Sequence, residues 1–345
     1  MSMQSIPRDR APAVLLEQFY PIHYKAGMRV EDTLRSSQRI SRQQAIILWL
    51  VHSAGDDNGN RMSRKAVEAA LTDWYAITSS AVSKAVRGLA RPPLSLVRLR
   101  EHPSSGREKE LVLTADGQAF VRDMVANGTA LTRWFLSRLD SLDVDRCIYI
   151  YYRCCEVFEE LEAAGDQPLP PIDRSRPLTL PKVDPADGPR LQLEVFFPIH
   201  YKAGMVVETS LLAGGALDRQ QAIILWLIRS IGEDGRVLRR KDIETTMTDW
   251  YEITSSALSQ ALRAMAREPL RLLTIEESPE SGREKRVRLT RRGERFVEAM
   301  FASGEALCAR IIERLTDEEV DMIIHIFRRT SEIFDAFPGP FRTAD

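Results

Sequence analysis

Two sets of side chains in this sequence have the types and spacing for chemistry. The first is a run of short hydroxyls and long bases, Ser79, Ser80, Ser83, Lys84 and Arg87, repeated as Ser255, Ser256, Ser259, Gln260 and Arg263. Spread over two turns of a helix, such groups donate hydrogen bonds to phosphate oxygens and to base edges. The second is His23-Tyr24-Lys25, repeated as His200-Tyr201-Lys202, each trio following a Phe-(Tyr/Phe)-Pro-Ile segment. These side chains could line a pocket, or could be satisfied by hydrogen bonds inside an interface between the repeats. The sequence has no GxSxG, no P-loop and no dinucleotide fingerprint, and its five histidines form no HxH or HExxH. No catalytic constellation, metal site or cofactor is therefore expected. Cysteines 147, 154, 155 and 308 form no CxxC pair and no regular framework, and they read as inert, reduced thiols. Trp49, Trp74, Trp226 and Trp250 read as core residues.

These groups occur twice because the sequence contains itself twice. Phe19–Met28 recurs as Phe196–Met205 with nine of ten residues identical, and RQQAIILWL at 42–50 recurs unchanged at 219–227. TDWYAITSSA at 72–81 returns as TDWYEITSSA at 248–257, and SGREK at 105–109 returns at 281–285. The offset is 177 before residue 59 and 176 after it, so one turn residue was gained or lost. Copies of this length are domains, not solenoid units. The expected organisation is repeat 1 over 1–162, a linker over 163–192 carrying seven prolines, and repeat 2 over 193–345. Proline-rich chain is extended and semi-rigid, and thirty residues of it do not limit how the copies dock.

Within repeat 1, Ser41 can cap a buried helix over 41–53, and Gly55–Asn60 is a turn. Ser63 caps a second helix. Thr78 or Ser79 caps a third, whose Val82, Val86 and Leu89 turn inward and whose Ser79, Ser80, Ser83, Lys84 and Arg87 face out. Pro92-Pro93 ends it. Two β-like runs, 96–100 and 110–113, are joined by Pro103–Arg107, a hairpin with a basic tip. Thr114 opens a long helix, and a last helix spans 142–161. Three helices, a basic hairpin and long flanking helices are the order of a winged helix-turn-helix. The stretch VRLREHPSSGREKELVLTADGQAFV and its repeat LLTIEESPESGREKRVRLTRRGERFV resemble the wing of the MarR (multiple antibiotic resistance regulator) family. That wing has an arginine near its tip, then Leu-Thr, then a glycine opening the next helix. Arg107, Leu113, Thr114 and Gly117 match it, as do Arg283, Leu289, Thr290 and Gly293, while Ser105 and Ser281 stand where the family usually has an aspartate.

The resemblance implies a mostly α-helical chain with small β-hairpin wings, its two tandem winged helix-turn-helix domains packed as an intramolecular pseudo-dimer and acting as a monomer. It implies double-stranded DNA as partner, with half-sites about 10 base pairs apart, and a small-molecule effector at His23, Tyr24, Lys25, His200, Tyr201 and Lys202. Arg107, Lys109, Arg283 and Lys285 would be the wing contacts. Charge agrees. The chain has 48 Lys+Arg against 49 Asp+Glu, but residues 61–117 carry ten bases against six acids and residues 236–293 carry thirteen against nine. Basic charge therefore sits on the two heads and acidic charge elsewhere, the distribution expected for phosphate neutralisation. No apolar run is long enough to cross a bilayer and no signal-peptide core is present, so a cytoplasmic regulator of transcription is expected. The competing expectation is a protein-interaction module with weak or one-headed DNA binding, favoured by Glu276, Glu277 and Glu280 beside the second wing.

Overall fold

A computed structural model describes residues 5–35, 40–75, 78–102, 105–165, 167–212, 217–251, 253–278 and 281–340. The N-terminal arm of the first copy runs in sequence as α1 (Ala11–Tyr20), a π-helical turn over Pro21–Ala26, and α2 (Gly27–Arg35). Pro21 stands where α-helical hydrogen bonding gives way, as a residue without an N–H must cause. Helix α3 (Arg42–Ala54) follows. Ser41 and Gln44 close a reciprocal capping box at its start, and Ile46, Ile47, Leu48, Leu50 and Val51 bury nearly its whole circumference. A single turn, α4 (Asp56–Gly59), leads into strand β1 (Arg61–Ser63), then α5 (Arg64–Tyr75) and α6 (Ser79–Ala90). The wing consists of β2 (Val97–His102) and β3 (Ser105–Leu113), and the long helices α7 (Ala115–Leu136) and α8 (Ser141–Ala164) complete the copy.

The second copy repeats this order. Its arm is α9 (Gly188–Phe197), a π-helical turn over Pro198–Ala203 and α10 (Gly204–Leu211). Its winged helix is α11 (Arg219–Ile231), β4 (Val237–Arg239), α12 (Arg240–Tyr251), α13 (Ser255–Ala266), β5 (Leu273–Ser278) and β6 (Ser281–Leu289), followed by α14 (Arg291–Glu313) and α15 (Asp317–Asp335). Each wing is a three-stranded antiparallel sheet, in order β1-β3-β2 and β4-β6-β5. The third strand of each sheet, only three residues long, has too little period to be seen in sequence. Among the described residues no helix is long and apolar enough to cross a membrane.

The Leu-Thr-x-x-Gly wing signature is a structural clasp. Thr114 caps α7 by accepting from the Gly117 N–H at 3.0 Å while its hydroxyl donates to the Ser95 carbonyl at 2.9 Å. Thr290 does the same with Gly293 and the Arg271 carbonyl. A Cβ at Gly117 would stand 2.0 Å from the Leu96 carbonyl oxygen, and one at Gly293 would stand 1.9 Å from that of Leu272. Only glycine allows the strand and the following helix to approach this closely.

The chain divides into two compact units, and neither unit is one copy. One comprises Met1–Lys25, Val157–Pro177 and Val206–His325; the other comprises Ala26–Glu156, Leu178–Met205 and Ile326–Asp345. The second winged helix is thus packed with α1 of the first copy, which lies along α14 and buries Ala11, Leu15 and Leu16. The first winged helix is packed with α9 of the second copy, which lies along α7 and buries Leu193 and Val195. The repeat boundaries at 162 and 193 follow the duplication and not the packing, because α1 and α9, the first helix of each arm, each lie on the other copy's long helix. The proline-rich segment is also divided. In the first unit Arg310 and Arg314 donate to the carbonyls of Gly165 and Pro170, and in the second the Thr132 hydroxyl donates to the Pro189 carbonyl.

Gly117→Ala or Gly293→Ala should lower the unfolding free energy by about 1–3 kcal/mol through overpacking against a backbone carbonyl. Chemical denaturation monitored by circular dichroism checks this, and an unchanged midpoint would show that the clasp relaxes freely.

Candidate nucleic-acid interface

The candidate reading elements are α6 in one unit and α13 in the other. Thr78 caps α6 by accepting from the Ala81 N–H, and Thr254 caps α13 by accepting from the Ala257 N–H. Val82, Ala85, Val86 and Leu89 bury the inner face of α6, as Leu258, Ala261, Leu262 and Met265 bury that of α13. The outer faces carry exposed Ser79, Ser80, Lys84 and Arg87 on α6, and exposed Ser255, Ser256, Gln260 and Arg263 on α13. Arg91 and Arg267, at the C-caps of α6 and α13, are exposed as well and were not singled out from sequence.

Ser83 and Ser259 are used differently from the expectation. Each is half-buried, donates to a carbonyl one turn back and accepts from an arginine of the preceding helix: Arg64 Nη2 to Ser83 Oγ at 2.7 Å, and Arg240 Nη2 to Ser259 Oγ at 3.0 Å. These arginines begin α5 and α12, and each ties the two helices of its helix-turn-helix pair together. Sequence reasoning missed them, although the Arg-Lys pairs at 64–65 and 240–241 recur at the repeat offset.

In the wings, Lys109 and Lys285 are exposed and stand opposite Glu101 and Glu277 across the hairpins. Arg107 and Arg283 lie within β3 and β6, not in the hairpin loops, because strand pairing continues to Ser105 and Ser281. Their side chains, like those of Trp74, Trp250 and Lys202, lie outside the described residues. The two wings differ in charge. Arg98 and Arg100 face solvent on β2, whereas Thr274 and Glu276 hold those places on β5. On β6, Arg286 is ion-paired with Glu233, and Arg288 with Glu276 at 3.4 Å. An open groove beside α5 is lined by Arg64, Lys65, Thr72 and Lys109 with Glu68 and Glu108.

The His-Tyr-Lys trios sit elsewhere, in buried clusters. In one unit, Glu208 receives the Tyr24 hydroxyl, ion-pairs with Arg219 (Nη2 at 2.6 Å) and lies 3.2 Å from His23 Nε2. In the other, Glu31 receives the Tyr201 hydroxyl, ion-pairs with Arg42 and lies 3.0 Å from His200 Nε2. Phe19 stacks on His23 and Phe196 on His200, with ring centroids 5.1 and 5.0 Å apart. Each histidine and tyrosine thus meets the glutamate and arginine of the other copy, and Lys25 is half-buried beside them. Neither glutamate was singled out from sequence, although the pair repeats at the offset of 177 and each precedes the arginine of a repeated RQQ. Burial would raise both carboxyls. Arg42, His200 and Tyr201 outweigh it at Glu31 and hold that group well below the ordinary carboxylate range, and Arg219, His23 and Tyr24 hold Glu208 at about 2.

Trp49 and Trp226 are buried as expected. Cys147, Cys154 and Cys308 are buried, and burial pushes the Cys147 thiol up and that of Cys308 to about 12. Cys155 is half-buried. Among the described residues no cluster of three or more histidine, cysteine or acidic groups could hold a metal.

Residues 40–117 and 217–293 each match the winged helix DNA-binding domain. The chain carries two winged helix DNA-binding domains in tandem. Those limits run from just before α3 and α11 to the glycines that open α7 and α14, so they contain every reading helix and wing and exclude the arms. No curated protein matches the sequence.

Glu31→Gln and Glu208→Gln should each destabilise the protein by on the order of 3 kcal/mol at neutral pH, because each removes the buried charge that a half-buried arginine, a histidine and a tyrosine converge on. Both carboxyls are lowered in the folded state, so their contribution is present above an unfolded value of 4.5. It is lost as pH falls from there through the folded values, about 2 for Glu208. Denaturant midpoints measured from pH 7 to pH 3 should therefore show the gap to wild type narrowing below pH 4.5, and a gap independent of pH would refute the assignment.

Proposed function

We propose that the chain is a sequence-specific regulator of transcription that binds double-stranded DNA through both winged helices, in the manner of the MarR family but as a single-chain pseudo-dimer. The observation that carries this reading is the duplicated outer stripe of α6 and α13, where hydroxyls and long bases stand exposed on helices held by identical caps and identical arginine braces. A helix so presented enters the major groove, its N-terminal N–H groups and hydroxyls on phosphates and its long side chains on base edges. Two such heads read a pseudo-palindromic site, and the chain acts in the cytoplasm where that DNA lies. Non-catalytic DNA recognition accounts for the repeated exposed hydroxyls and long side chains of α6 and α13. An effector held by His23 and Tyr24, or by His200 and Tyr201, would have to displace Glu208 or Glu31, so this reading includes none at those trios.

A second reading, in which the first head grips more tightly, draws support from the wings. Arg286 and Arg288 on β6 are paired with Glu233 and Glu276, while Arg98 and Arg100 on β2 point to solvent. If each wing arginine neutralises one phosphate, Arg107→Ala should reduce the slope of log K against log salt by about 0.9. Arg283→Ala should reduce it less. Equal slopes for the two variants would discard unequal grip.

For the main reading, Arg87→Ala and Arg263→Ala should each weaken a specific site by about 1–3 kcal/mol while circular dichroism stays unchanged. Unchanged affinity in both would favour a protein-docking role. Light scattering at micromolar concentration should give the mass of one chain, 39.1 kDa; a stable species of twice that mass would contradict the single-chain reading.

A further inference from the structure

The two reading helices differ at one outward polar position. Measured along the stripe that faces away from the core, α6 presents Ser80, Lys84 and Arg87, and α13 presents Ser256, Gln260 and Arg263, with Arg91 and Arg267 exposed at the C-caps that follow. The three helical positions are spaced i, i+4 and i+7, so they form one line along the helix. Only the middle one differs, and the cap arginines are identical. The flanking pair, Gly88 and Ala264, has no hydrogen-bonding side chain. Both helices begin on a threonine cap and are braced by an arginine on the matching serine, so the stripes are offered by matching local geometry. Lys84 and Gln260 are exposed, and among the described residues neither has a hydrogen-bond or ion-pair partner.

Those two side chains ask for different bases. A lysine ammonium has three donors and no acceptor, which suits the paired acceptors O6 and N7 of guanine. A glutamine amide offers an NH2 donor group beside a carbonyl acceptor, which together suit N7 and N6 of adenine. We propose that the two half-sites of the DNA target are the same at the bases read by the shared stripe and differ at one position, with guanine under Lys84 and adenine under Gln260. This rests on the DNA-binding reading above and adds the asymmetry of the site and the residues that set it. The duplicated chain makes the asymmetry available, since a homodimer of identical subunits must present the same side chain to both half-sites.

The test is selection of bound sequences from a pool of randomised double-stranded DNA by the full-length chain, wild type, Lys84→Gln and Gln260→Lys. Wild type should enrich two inverted half-sites that agree except at one position, guanine in one and adenine in the other. Lys84→Gln should turn the guanine to adenine, and Gln260→Lys the adenine to guanine, each giving a symmetric site. Measured on the two symmetric sites, the swaps should change relative affinity roughly 5- to 150-fold. Enrichment of a two-half-site motif whose bases do not change in either variant would overturn the inference and leave the DNA-binding reading standing. Absence of any enriched motif from the wild-type pool would overturn both.

Discussion

Two buried carboxylates organise the arms of this chain. Glu31 and Glu208 are almost fully excluded from solvent, and an ionised carboxylate in such a place costs several kcal/mol unless it is paired and hydrogen-bonded. Neither can be satisfied by its own copy. Each takes its arginine from the helix that follows it and its histidine and tyrosine from the arm of the other repeat. The relationship is reciprocal, residue i of one copy on residue j of the other and the converse, which is the pattern of an isologous contact. The ten-residue repeat that ends in His-Tyr-Lys-Ala-Gly-Met reads accordingly: Gly27 leaves room for the His200 ring, which a Cβ would approach to 2.2 Å.

The cluster around each of these carboxylates, a second clasp that joins an arm to a core helix, also reaches the reading heads through short paths within each unit. Arg42 is the first residue of α3 and Arg219 the first of α11, the central helices on which α6 and α13 pack. The π-helical turn carrying His200 and Tyr201 packs directly on α5, the first helix of the helix-turn-helix. Arm, core helix and reading helix are therefore bonded or packed in sequence. The polar trios that looked able to hold a ligand are engaged with Glu31 and Glu208, while the hydroxyls and long polar side chains of α6 and α13 are left exposed in both copies.

What could be read from sequence was local. The Ser41 cap, the inward line of Val82, Val86 and Leu89, the end at Pro92-Pro93 and the Thr114 cap all depend on neighbours within a few residues, and the structure reproduces them. The wing was legible as a hairpin, but Arg107 moved from its tip into β3, because a turn-rich stretch such as Ser-Ser-Gly does not reveal how far strand pairing extends. The serine run was legible as an exposed helix face except at Ser83 and Ser259, whose arginine partners lie nineteen residues earlier. The clasp and the exchange of arms were not legible, since they join residues more than 160 positions apart and depend on which copy an arm packs against. The repeat offset of Glu31 and Glu208 was the available signal.

The exchange of arms can be tested by cutting the chain between the segments assigned to different units. A specific protease site placed after Pro177 would give fragments 1–177 and 178–345, each of which supplies segments to both units. After complete cleavage under native conditions the two fragments should remain one particle at the mass of the intact chain, 39.1 kDa, with helical content unchanged, and should separate only in denaturant. Fragments that part on native gel filtration and keep their folds would show that each copy packs on itself, and would contradict the account.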